Sequence, residues 1–502
     1  METSPALDAF ARTYDAGQSQ VVWTQLIADL ETPVSAFLKL ADGRANSFLF
    51  ESVEGGSTRG RYSFIGMKPD LIWRCFGDRA EINREARVDP EKFEAVDQPA
   101  LESLRALISE SAIVLPDGLP PMAAGIVGYM GYDMVRLMER LPDDNPETMG
   151  LPDGLFLRPT VIAIFDTIED LVTVVTPVRP DAGIDAQSAY ARARERLADV
   201  ANDFGRSLPY RREADAALAP LPEPEAHMGP EDYKAMVRAA KEYILAGDIF
   251  QVVLSQRFET PFTLPPFALY RALRRTNPSP FLTFLDFGPF AIVGSSPEIL
   301  VRLRDDTVTI RPLAGTRPRG ETPAEDRELA ADLLSDEKEL AEHLMLLDLG
   351  RNDVGRVAEI GSVQVTERMV VEYYSHVMHI VSNVEGRVRP DYDALSALIA
   401  GFPAGTVSGA PKVRAMEIID ELEPVRRGLY AGCVGYFGAD GGMDNCIALR
   451  TAVVRDGRMF VQAGAGIVAD SDPESEYQEC VNKARALVRA AQEAVRFSAG
   501  RG

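Results

Sequence analysis

The sequence Gly247-Asp-Ile-Phe-Gln-Val-Val-Leu-Ser-Gln-Arg-Phe258 marks a change from helix to strand. The preceding residues, 230–246, have apolar side chains at helical spacing, and glycine is typical of the residue that ends a helix. Residues 249–258 are mostly apolar and predict a strand. Many of the strands predicted in the chain are separated by turns too short for βαβ crossovers. The pattern predicts an α+β fold with extensive antiparallel sheets packed against helices.

The same mixture continues on both sides of this segment. Strands are predicted at 48–50, 62–66, 161–165, 281–287, 291–295 and 299–304, and helices at 186–203, 266–275, 324–349 and 473–496. With 502 residues the chain is too long for one ordinary core, so two domains or one large two-lobed domain are expected.

A linker is predicted between the two halves of the chain, because residues 206–229 are rich in Pro, Ala and Glu. We therefore expect an N-terminal region at 21–205 and a second domain at 230–495. Residues 1–20 are polar and are predicted to be a frayed or loosely docked extension.

Composition excludes several classes of protein. The net charge of −23 disfavours binding to nucleic acid or to anionic membranes. No apolar run approaches the roughly 18 residues of a membrane-spanning helix, and the N-terminus does not resemble a secretory signal. Four scattered cysteines, Cys75, Cys433, Cys446 and Cys480, form no Cys-x-x-Cys pair and are typical of a cytoplasmic protein.

Three motifs resemble known sites without matching them. Residues 464–469 fit Gly-x-Gly-x-x-Ala, but Asp-Ser-Asp-Pro follows where a dinucleotide fingerprint needs a helix. Residues 405–412 resemble a phosphate-binding loop with the wrong spacing, so an anion-facing role stays open. Residues 432–435 resemble a cysteine nucleophile elbow, but no histidine follows His379, which favours a buried structural thiol.

Two Glu-x-x-Glu pairs lie on predicted helices, Glu339 with Glu342 and Glu476 with Glu479. Residues three apart share one helix face, so each helix presents two carboxylates on one side. Two interpretations remain: solvated helix faces, or an all-oxygen site of the kind that Mg²⁺ prefers. A di-iron site would want Glu-x-x-His on two helices, which this pattern lacks.

Six segments together settle the choice of family. They are 247–258, 294–298 (Gly-Ser-Ser-Pro-Glu), 311–320 (Arg-Pro-Leu-Ala-Gly-Thr-Arg-Pro-Arg-Gly), 339–353 (Glu-Leu-Ala-Glu-His-Leu-Met-Leu-Leu-Asp-Leu-Gly-Arg-Asn-Asp), 405–412 (Gly-Thr-Val-Ser-Gly-Ala-Pro-Lys) and 462–468 (Gln-Ala-Gly-Ala-Gly-Ile-Val). In order and spacing they resemble the chorismate-utilising enzymes, strongly over 230–495. The resemblance is thinner before that, through Leu49-Phe-Glu-Ser52 and Gly60-Arg-Tyr-Ser63. It implies a lyase with a large two-lobed α+β fold.

The resemblance implies a magnesium ion on the ring carboxylate of chorismate. Glu342 and Glu479 would be its direct ligands, and Glu339 and Glu476 would hold metal-bound waters. The implied substrate-binding residues are Gly315, Thr316, Tyr430, Arg450, Lys483 and the backbone of Gly464, Ala465 and Gly466.

The implied catalytic residues are Glu298, His379, Thr316 and Gln251. Glu298 would be the general acid that protonates the departing hydroxyl, which requires a raised pKa from desolvation and nearby carboxylates. His379 would assist loss of pyruvate with aromatisation, and His376 is the less favoured histidine for that step.

Two positions distinguish branches of the family. Isochorismate-forming relatives have a water-activating lysine where this chain has Gln251, and aminodeoxychorismate synthases have a lysine where it has Ala314. Both differences favour attack by ammonia and formation of anthranilate and pyruvate, the first step of tryptophan biosynthesis. The alternatives are the two sibling activities and a non-catalytic, tryptophan-sensing homologue.

Two partners follow from the same resemblance. The chain shows no complete glutaminase triad, which implies a separate glutamine amidotransferase subunit, in a heterotetramer, as the source of ammonia. Tryptophan is the implied feedback inhibitor, bound by Ser52 of the regulatory 21–205 region together with Pro280, Phe281 and Leu282 of the second domain. Where the family more often has Pro-Tyr-Met, this chain has Pro-Phe-Leu.

Overall fold

The computed structural model describes residues 1–54, 58–208, 221–374 and 377–498. The α-helices are α1 (Leu7–Asp15), α2 (Pro33–Leu40), α3 (Ala100–Glu110), α4 (Ala186–Phe204), α5 (Pro230–Ala246), α6 (Pro266–Thr276), α7 (Pro323–Ser335), α8 (Glu337–Gly355), α9 (Ala394–Gly401), α10 (Lys412–Leu422) and α11 (Pro473–Ser498). Short 3-10 helices cover Tyr132–Leu137 and Gly405–Val407.

The strands are β1 (Gln20–Ile27), β2 (Ser47–Glu51), β3 (Val53–Glu54), β4 (Thr58–Arg59), β5 (Tyr62–Phe76), β6 (Arg79–Asn83), β7 (Glu94–Pro99), β8 (Gly125–Met130), β9 (Gly154–Asp166), β10 (Leu171–Val178), β11 (Glu225–Ala226), β12 (Gln251–Pro261), β13 (Phe281–Asp286), β14 (Phe290–Ser296), β15 (Ile299–Arg304), β16 (Thr307–Ile310), β17 (Leu313–Pro318), β18 (Gln364–Tyr373), β19 (Val377–Arg387), β20 (Gly409–Ala410), β21 (Cys433–Gly438), β22 (Met443–Ile447), β23 (Thr451–Arg455) and β24 (Arg458–Ile467).

Two long strands, β5 and β9, pair with each other and belong to two sheets at once. One sheet runs β12–β24–β23–β14–β13–β2–β5–β9–β10–β1. The other runs β7–β6–β5–β9–β8–β21–β22–β15–β16–β19–β18, with β17 also on β19. The register shifts between Pro69 and Leu71, where β5 passes from one sheet to the other. Every pairing is antiparallel, which confirms the predicted α+β architecture.

Strands from both halves of the chain alternate within these sheets. In the first sheet β2 pairs with β13, and in the second β8 pairs with β21. Neither half therefore forms its sheets alone. The division into 21–205 and 230–495 stays a prediction, and most of the predicted linker lies outside the described residues.

The N-terminal residues differ from expectation, because they form a docked helix. Phe10 and Tyr14 lie four residues apart on the inner face of α1 and are buried. The Phe10 ring packs on Tyr190 of α4, with 5.1 Å between ring centroids. A pair of aromatic side chains on one helix face is enough to hold a short polar segment against the domain.

The single helix predicted at 324–349 is wrong, because the chain forms α7 and α8 instead. Asp336 separates them with extended backbone angles. Its carboxylate accepts hydrogen bonds from the backbone N–H groups of Lys338 (3.0 Å) and Glu339 (3.3 Å). An aspartate in this position satisfies N–H donors that have no partner within the new helix, so it begins α8.

Two helices carry the predicted carboxylates to one place. Helix α8 packs on β17 and β19, and α11 packs on β24, α5 and α6. The face of α11 that contains Leu487 and Ala491 is buried in the core. Glu479 instead has 47% of its side chain exposed, so it faces away from that core. In the part of the chain that the structure describes, no helix is both long and apolar enough to cross a membrane.

Candidate active site

The glutamates of α8 and α11 form the first part of the site. Gln251, at the start of β12, donates a hydrogen bond from Nε2 to Glu342 Oε1 at 3.1 Å. Burial raises the pKa of Glu342, and the negative charges of Glu339 and Glu479 raise it further. The three carboxylates are therefore close enough to repel one another. Glu476 belongs to the same group, because burial and the charge of Glu479 raise its pKa.

Two cations offset part of this negative charge. Lys483 lies one turn after Glu479 on α11, with 2.7 Å between its Nζ and the carboxylate. It also donates a hydrogen bond to the backbone oxygen of Gly464 at 2.9 Å. Arg317 lies 3.2 Å from Glu339. Lys483 thus connects the acidic helix α11 to the glycine segment of β24.

The glycines at 464 and 466 lie inside strand β24, and neither begins a helix. A Cβ at position 464 would lie 2.7 Å from the Tyr430 hydroxyl, and one at 466 would lie 2.7 Å from Gln251 Nε2. Glycine is needed at 464, where the backbone oxygen of Leu254 also lies within 2.8 Å, whereas at 466 a larger residue would displace the Gln251 amide. Ala465, between them, is fully buried in the core. The strand also rules out the dinucleotide interpretation of this motif.

A metal ion would need ligands beyond those that the chain presents. Within the described residues, no group of three or more His, Cys, Asp and Glu side chains is arranged to hold one. Glu342 and Glu479 are nonetheless hard oxygen donors on facing helices, and their mutual repulsion is of the kind that a divalent cation relieves. The donor set fits Mg²⁺ if water and substrate supply the remaining ligands.

Glu298 lies in the short connection between β14 and β15, with only 6% of its surface exposed. Its Oε1 accepts a hydrogen bond from Thr406 at 3.1 Å. Burial raises its pKa to about 8, against the opposing effects of Thr406 and the positive charge of Arg450. The expected raised pKa is thus found, but burial causes it and no neighbouring carboxylate contributes. Glu298 therefore holds a proton at neutral pH.

His379 and Thr316 are partners in the β17–β19 pairing. His379 Nδ1 lies 3.0 Å from Thr316 Oγ1 and 3.1 Å from the backbone oxygen of Gly315. A carbonyl oxygen only accepts, so Nδ1 carries the proton and Nε2 has the lone pair. Nε2 is buried without a hydrogen-bond partner among the described residues. Burial lowers the pKa of the ring to about 4, which keeps it neutral.

The loop geometry around these residues is specific. Gly315 has a φ of +76°, a conformation that favours glycine, at a break in the β17 register. Arg450 also adopts a left-handed conformation, with a φ of +48°. Its charge affects both Glu298 and His379, so the guanidinium lies near both groups. His376 lies outside the described residues.

The four predicted effector residues line one cavity of about 910 Å³. Ser52 follows β2, and residues 280–282 lead into β13, which pairs with β2. The same cavity extends to Glu298 and has charged residues in its wall, Arg302 and Asp444 among them. The predicted effector residues and the predicted catalytic residue Glu298 therefore line the same cavity.

Residues that the sequence did not single out support the site. Thr406 belongs to the small-residue turn at 405–412, but the basic residue of that turn, Lys412, pairs with Asp353 at 2.8 Å. Arg427 and Glu423 form a fully buried ion pair, and the guanidinium lies 5.5 Å from the Tyr430 ring centroid. Of these residues, only Thr406 could have been suspected from the sequence, because it lies in the turn at 405–412 that was noted for anion contacts.

Cys433 lies in β21 and is buried, and burial raises the pKa of its thiol. A thiol that resists ionisation is a poor nucleophile. This environment agrees with a structural thiol.

Comparison with known proteins places these features in a family. Residues 47–489 match the model of chorismate binding enzymes. The chain is 60% identical to anthranilate synthase component 1 of Cereibacter sphaeroides, over 99% of this chain and all of that relative.

Two solved structures show the same fold. The crystal structure of anthranilate synthase component I from Streptococcus pneumoniae has a TM-score of 0.76 and 39% identity, over 92% of this chain and 99% of that one. The menaquinone-specific isochorismate synthase MenF from Escherichia coli has a TM-score of 0.69 at 19% identity, over 97% and 99%. Since a protein of different activity has this fold, the fold alone does not identify the reaction. The family match and the full-length relative do establish the family: this chain belongs to the chorismate binding enzymes.

Proposed function

We propose that this chain is the chorismate-converting subunit of an anthranilate synthase, which forms anthranilate and pyruvate from chorismate and ammonia. The observation that carries the proposal is that Glu298 is buried and protonated and that His379 is neutral, both within the influence of Arg450. Gln251, the contact of Glu342, stands where sibling enzymes have a lysine. Full-length similarity to anthranilate synthase component 1 supports the same assignment.

Glu298 would deliver the proton that the first step needs. Loss of the ring hydroxyl from chorismate requires protonation of the leaving oxygen. A carboxyl with a pKa of about 8 holds its proton at neutral pH and still transfers it readily. Thr406, as the hydrogen-bond donor to Glu298 Oε1, would stabilise the carboxylate that remains after transfer.

His379 would accept the ring proton in the second step, when pyruvate leaves and the ring becomes aromatic. The Gly315 carbonyl holds the Nδ1 proton, so the lone pair of Nε2 is available as a base. Thr316 would orient the imidazole through the same Nδ1 contact.

Mg²⁺ bound by Glu342 and Glu479 would neutralise and orient the ring carboxylate of chorismate. Glu339 and Glu476 would hold waters around it. Arg450, Tyr430 and Lys483, with the backbone of β24 at Gly464, would bind the second carboxylate. A dianionic substrate needs one metal and one or two cations of this kind.

Selectivity for ammonia would follow from two neutral side chains. Gln251 donates its amide hydrogen to Glu342 and has no basic nitrogen with which to activate water. Ala314 is buried in β17 and small, which leaves space for a nitrogen nucleophile. Both features disfavour the isochorismate and aminodeoxychorismate reactions.

Partner and effector follow from the same proposal. A separate amidotransferase subunit would supply ammonia from glutamine, and tryptophan would occupy the cavity of about 910 Å³ beside Ser52 and Phe281. The cavity is suited to an amino acid because it combines apolar walls with charged groups. We also infer a cytoplasmic enzyme, which agrees with four unpaired cysteines.

One assay tests the central proposal. The isolated chain is incubated with chorismate, Mg²⁺ and an ammonium salt at mildly alkaline pH, and anthranilate is followed by its fluorescence. Anthranilate should appear with ammonium but not with glutamine, because the amidotransferase is absent. Isochorismate, aminodeoxychorismate or no product would refute the proposal.

A further inference from the structure

A second cavity, of about 500 Å³, lies far in the chain from the predicted catalytic residues. Helix α4 forms one wall, and β5, β9 and the end of β10 form the other. Four guanidinium groups line it: Arg87, Arg179, Arg192 and Arg196. Three acids line it as well, Asp70, Asp181 and Glu195, so the arginines outnumber the acids here although the whole chain has a net charge of −23.

The arginines come together from three separate elements. Arg192 and Arg196 lie four residues apart on one face of α4, with Ala189 one turn earlier. Arg179 follows directly after β10, and Arg87 lies in the loop after β6. Helix spacing explains only the proximity of Arg192 and Arg196. The tertiary fold brings Arg179 and Arg87 to the same place.

Hydrogen-bond donors at the floor of the cavity have no partner among the described residues. Nε and Nη2 of Arg179 and Nε of Arg196 are buried in this way. The guanidinium groups also repel each other: burial and Arg158 lower the pKa of Arg179, and burial, Arg87 and Arg192 lower that of Arg196. Asp70 opposes both shifts, but it accepts its hydrogen bonds from Arg158, so the unpaired donors and the repulsion among the guanidinium groups still favour an anion.

The nearby acids do not meet this demand. Asp70 accepts two hydrogen bonds from Arg158, at 2.8 and 3.1 Å, and lies 3.8 Å from Arg179. Asp181 accepts from the backbone N–H of Gly183 at 2.9 Å. Glu195 is exposed on α4. Among the described residues Arg196 thus has no ion pair, and Arg179 has only the 3.8 Å contact with Asp70.

We propose that this cavity is a binding site for a phosphorylated small metabolite, with the phosphate held by Arg179 and Arg196. Guanidinium forks match the oxygens of a phosphate in a bidentate manner. A cavity of about 500 Å³ exceeds the space that a free phosphate needs, so a sugar-sized remainder fits beside it. Arg87 and Arg192, which are exposed, lie at the rim where they attract the anion.

Calorimetric titration of the full chain tests the site, in chloride buffer at about 0.15 M ionic strength to screen non-specific attraction. The probes are inorganic phosphate, ribose 5-phosphate and ribose. Saturable binding is expected for the two phosphates and none for ribose. Tighter binding of the ester than of phosphate is expected, because the rest of the cavity would hold the sugar, and equal affinity would overturn the assignment to a phosphorylated metabolite.

Three variants make the test specific. Arg179→Gln and Arg196→Gln should each weaken phosphate binding about tenfold or more, since each removes a charged bidentate donor. Arg194→Gln removes the same charge from the exposed face of α4 and should bind as the parent does. Thermal melting checks that each variant is folded, and Arg196→Gln, at a half-buried position of α4, remains informative if Arg179→Gln unfolds.

Two further results would overturn the inference. One is the absence of saturable phosphate binding by the parent chain. The other is an equal loss of affinity in Arg194→Gln and the two site variants, which would indicate a general charge effect. Because the test reads binding and not turnover, it is independent of the proposed lyase activity.

Discussion

The two acidic parts of the candidate active site use the same side chain in opposite environments. Glu298 is 6% exposed, its pKa is raised to about 8, and the charge that acts on it is that of the cation Arg450. Glu479 has 47% of its side chain exposed and pairs with Lys483. Burial makes the Glu298 carboxyl suited to donate a proton. The exposed Glu479 carboxylate is instead suited to exchange Lys483 for a metal ion. Within this pair, solvent access separates the proposed acid from the proposed metal ligand, and Glu342, whose pKa burial also raises, lies between the two.

The largest effect should come from Glu298→Gln. A glutamine keeps the shape of the buried side chain but has no transferable proton, so kcat should fall about a thousandfold. The KM for chorismate should change little, because the proton acts in the transition state. Steady-state kinetics with ammonium check both, and turnover near that of the parent would refute the acid assignment.

The same variant should also be more stable than the parent at pH 7. The native carboxyl keeps its proton to about pH 8, whereas the unfolded one releases it near its ordinary pKa of 4.5. Stability is therefore lost as the pH rises above 4.5, by an amount on the order of 3 kcal/mol at pH 7. Thermal melts of both proteins at pH 5 and at pH 7 measure this, and an equal difference at the two pH values would contradict it.

Glu342→Gln and Glu479→Gln test the second carboxylate environment. Each should raise the Mg²⁺ concentration needed for half-maximal activity by about a hundredfold, because one anionic ligand is lost. Glu474→Gln is the matched control, since Glu474 lies on α11 but pairs with Lys234. Magnesium titrations of activity decide the point, and an unchanged requirement in both site variants would remove these residues as ligands.

Ser52→Ala tests whether the cavity beside Ser52 controls the reaction at the buried Glu298. The tryptophan concentration for half inhibition should rise about tenfold, with the uninhibited rate preserved, as expected for loss of coupling between two sites. Ser109→Ala, an exposed change on α3, serves as control. Unchanged inhibition would place the effector elsewhere.

The smallest effect is expected from Thr406→Val, which changes the pH profile. With free NH₃ held constant, activity should fall as the pH rises through about 8, where Glu298 loses its proton, and as it falls through about 4, where His379 gains one. The Thr406 hydroxyl stabilises the Glu298 carboxylate, so its removal should move the upper limb upward by about 0.5 to 1 unit. A downward shift would mean that Thr406 stabilises the protonated acid.

Prediction from the sequence succeeded where the signal is local. Helix α5 begins at Pro230 and ends at Ala246 as expected, because proline and glycine act within one turn. It failed at Asp336, where a capping side chain divides a segment whose apolar spacing reads as one helix. It also failed at α1, whose Phe10 is buried only because α4 lies above it. Long-range contacts decided both the docking of α1 and the sharing of sheets between the two halves.

The sequence by itself determined the family, the two Glu-x-x-Glu pairs and the absence of lysine at Gln251 and Ala314. These are properties of residue order, which short-range spacing and motif resemblance preserve. Only the tertiary structure decided that Glu298 is protonated, that His379 presents Nε2 and that arginines from three elements share one cavity. Desolvation and hydrogen-bond partners are sums over atoms from distant parts of the chain, so no local pattern contains them.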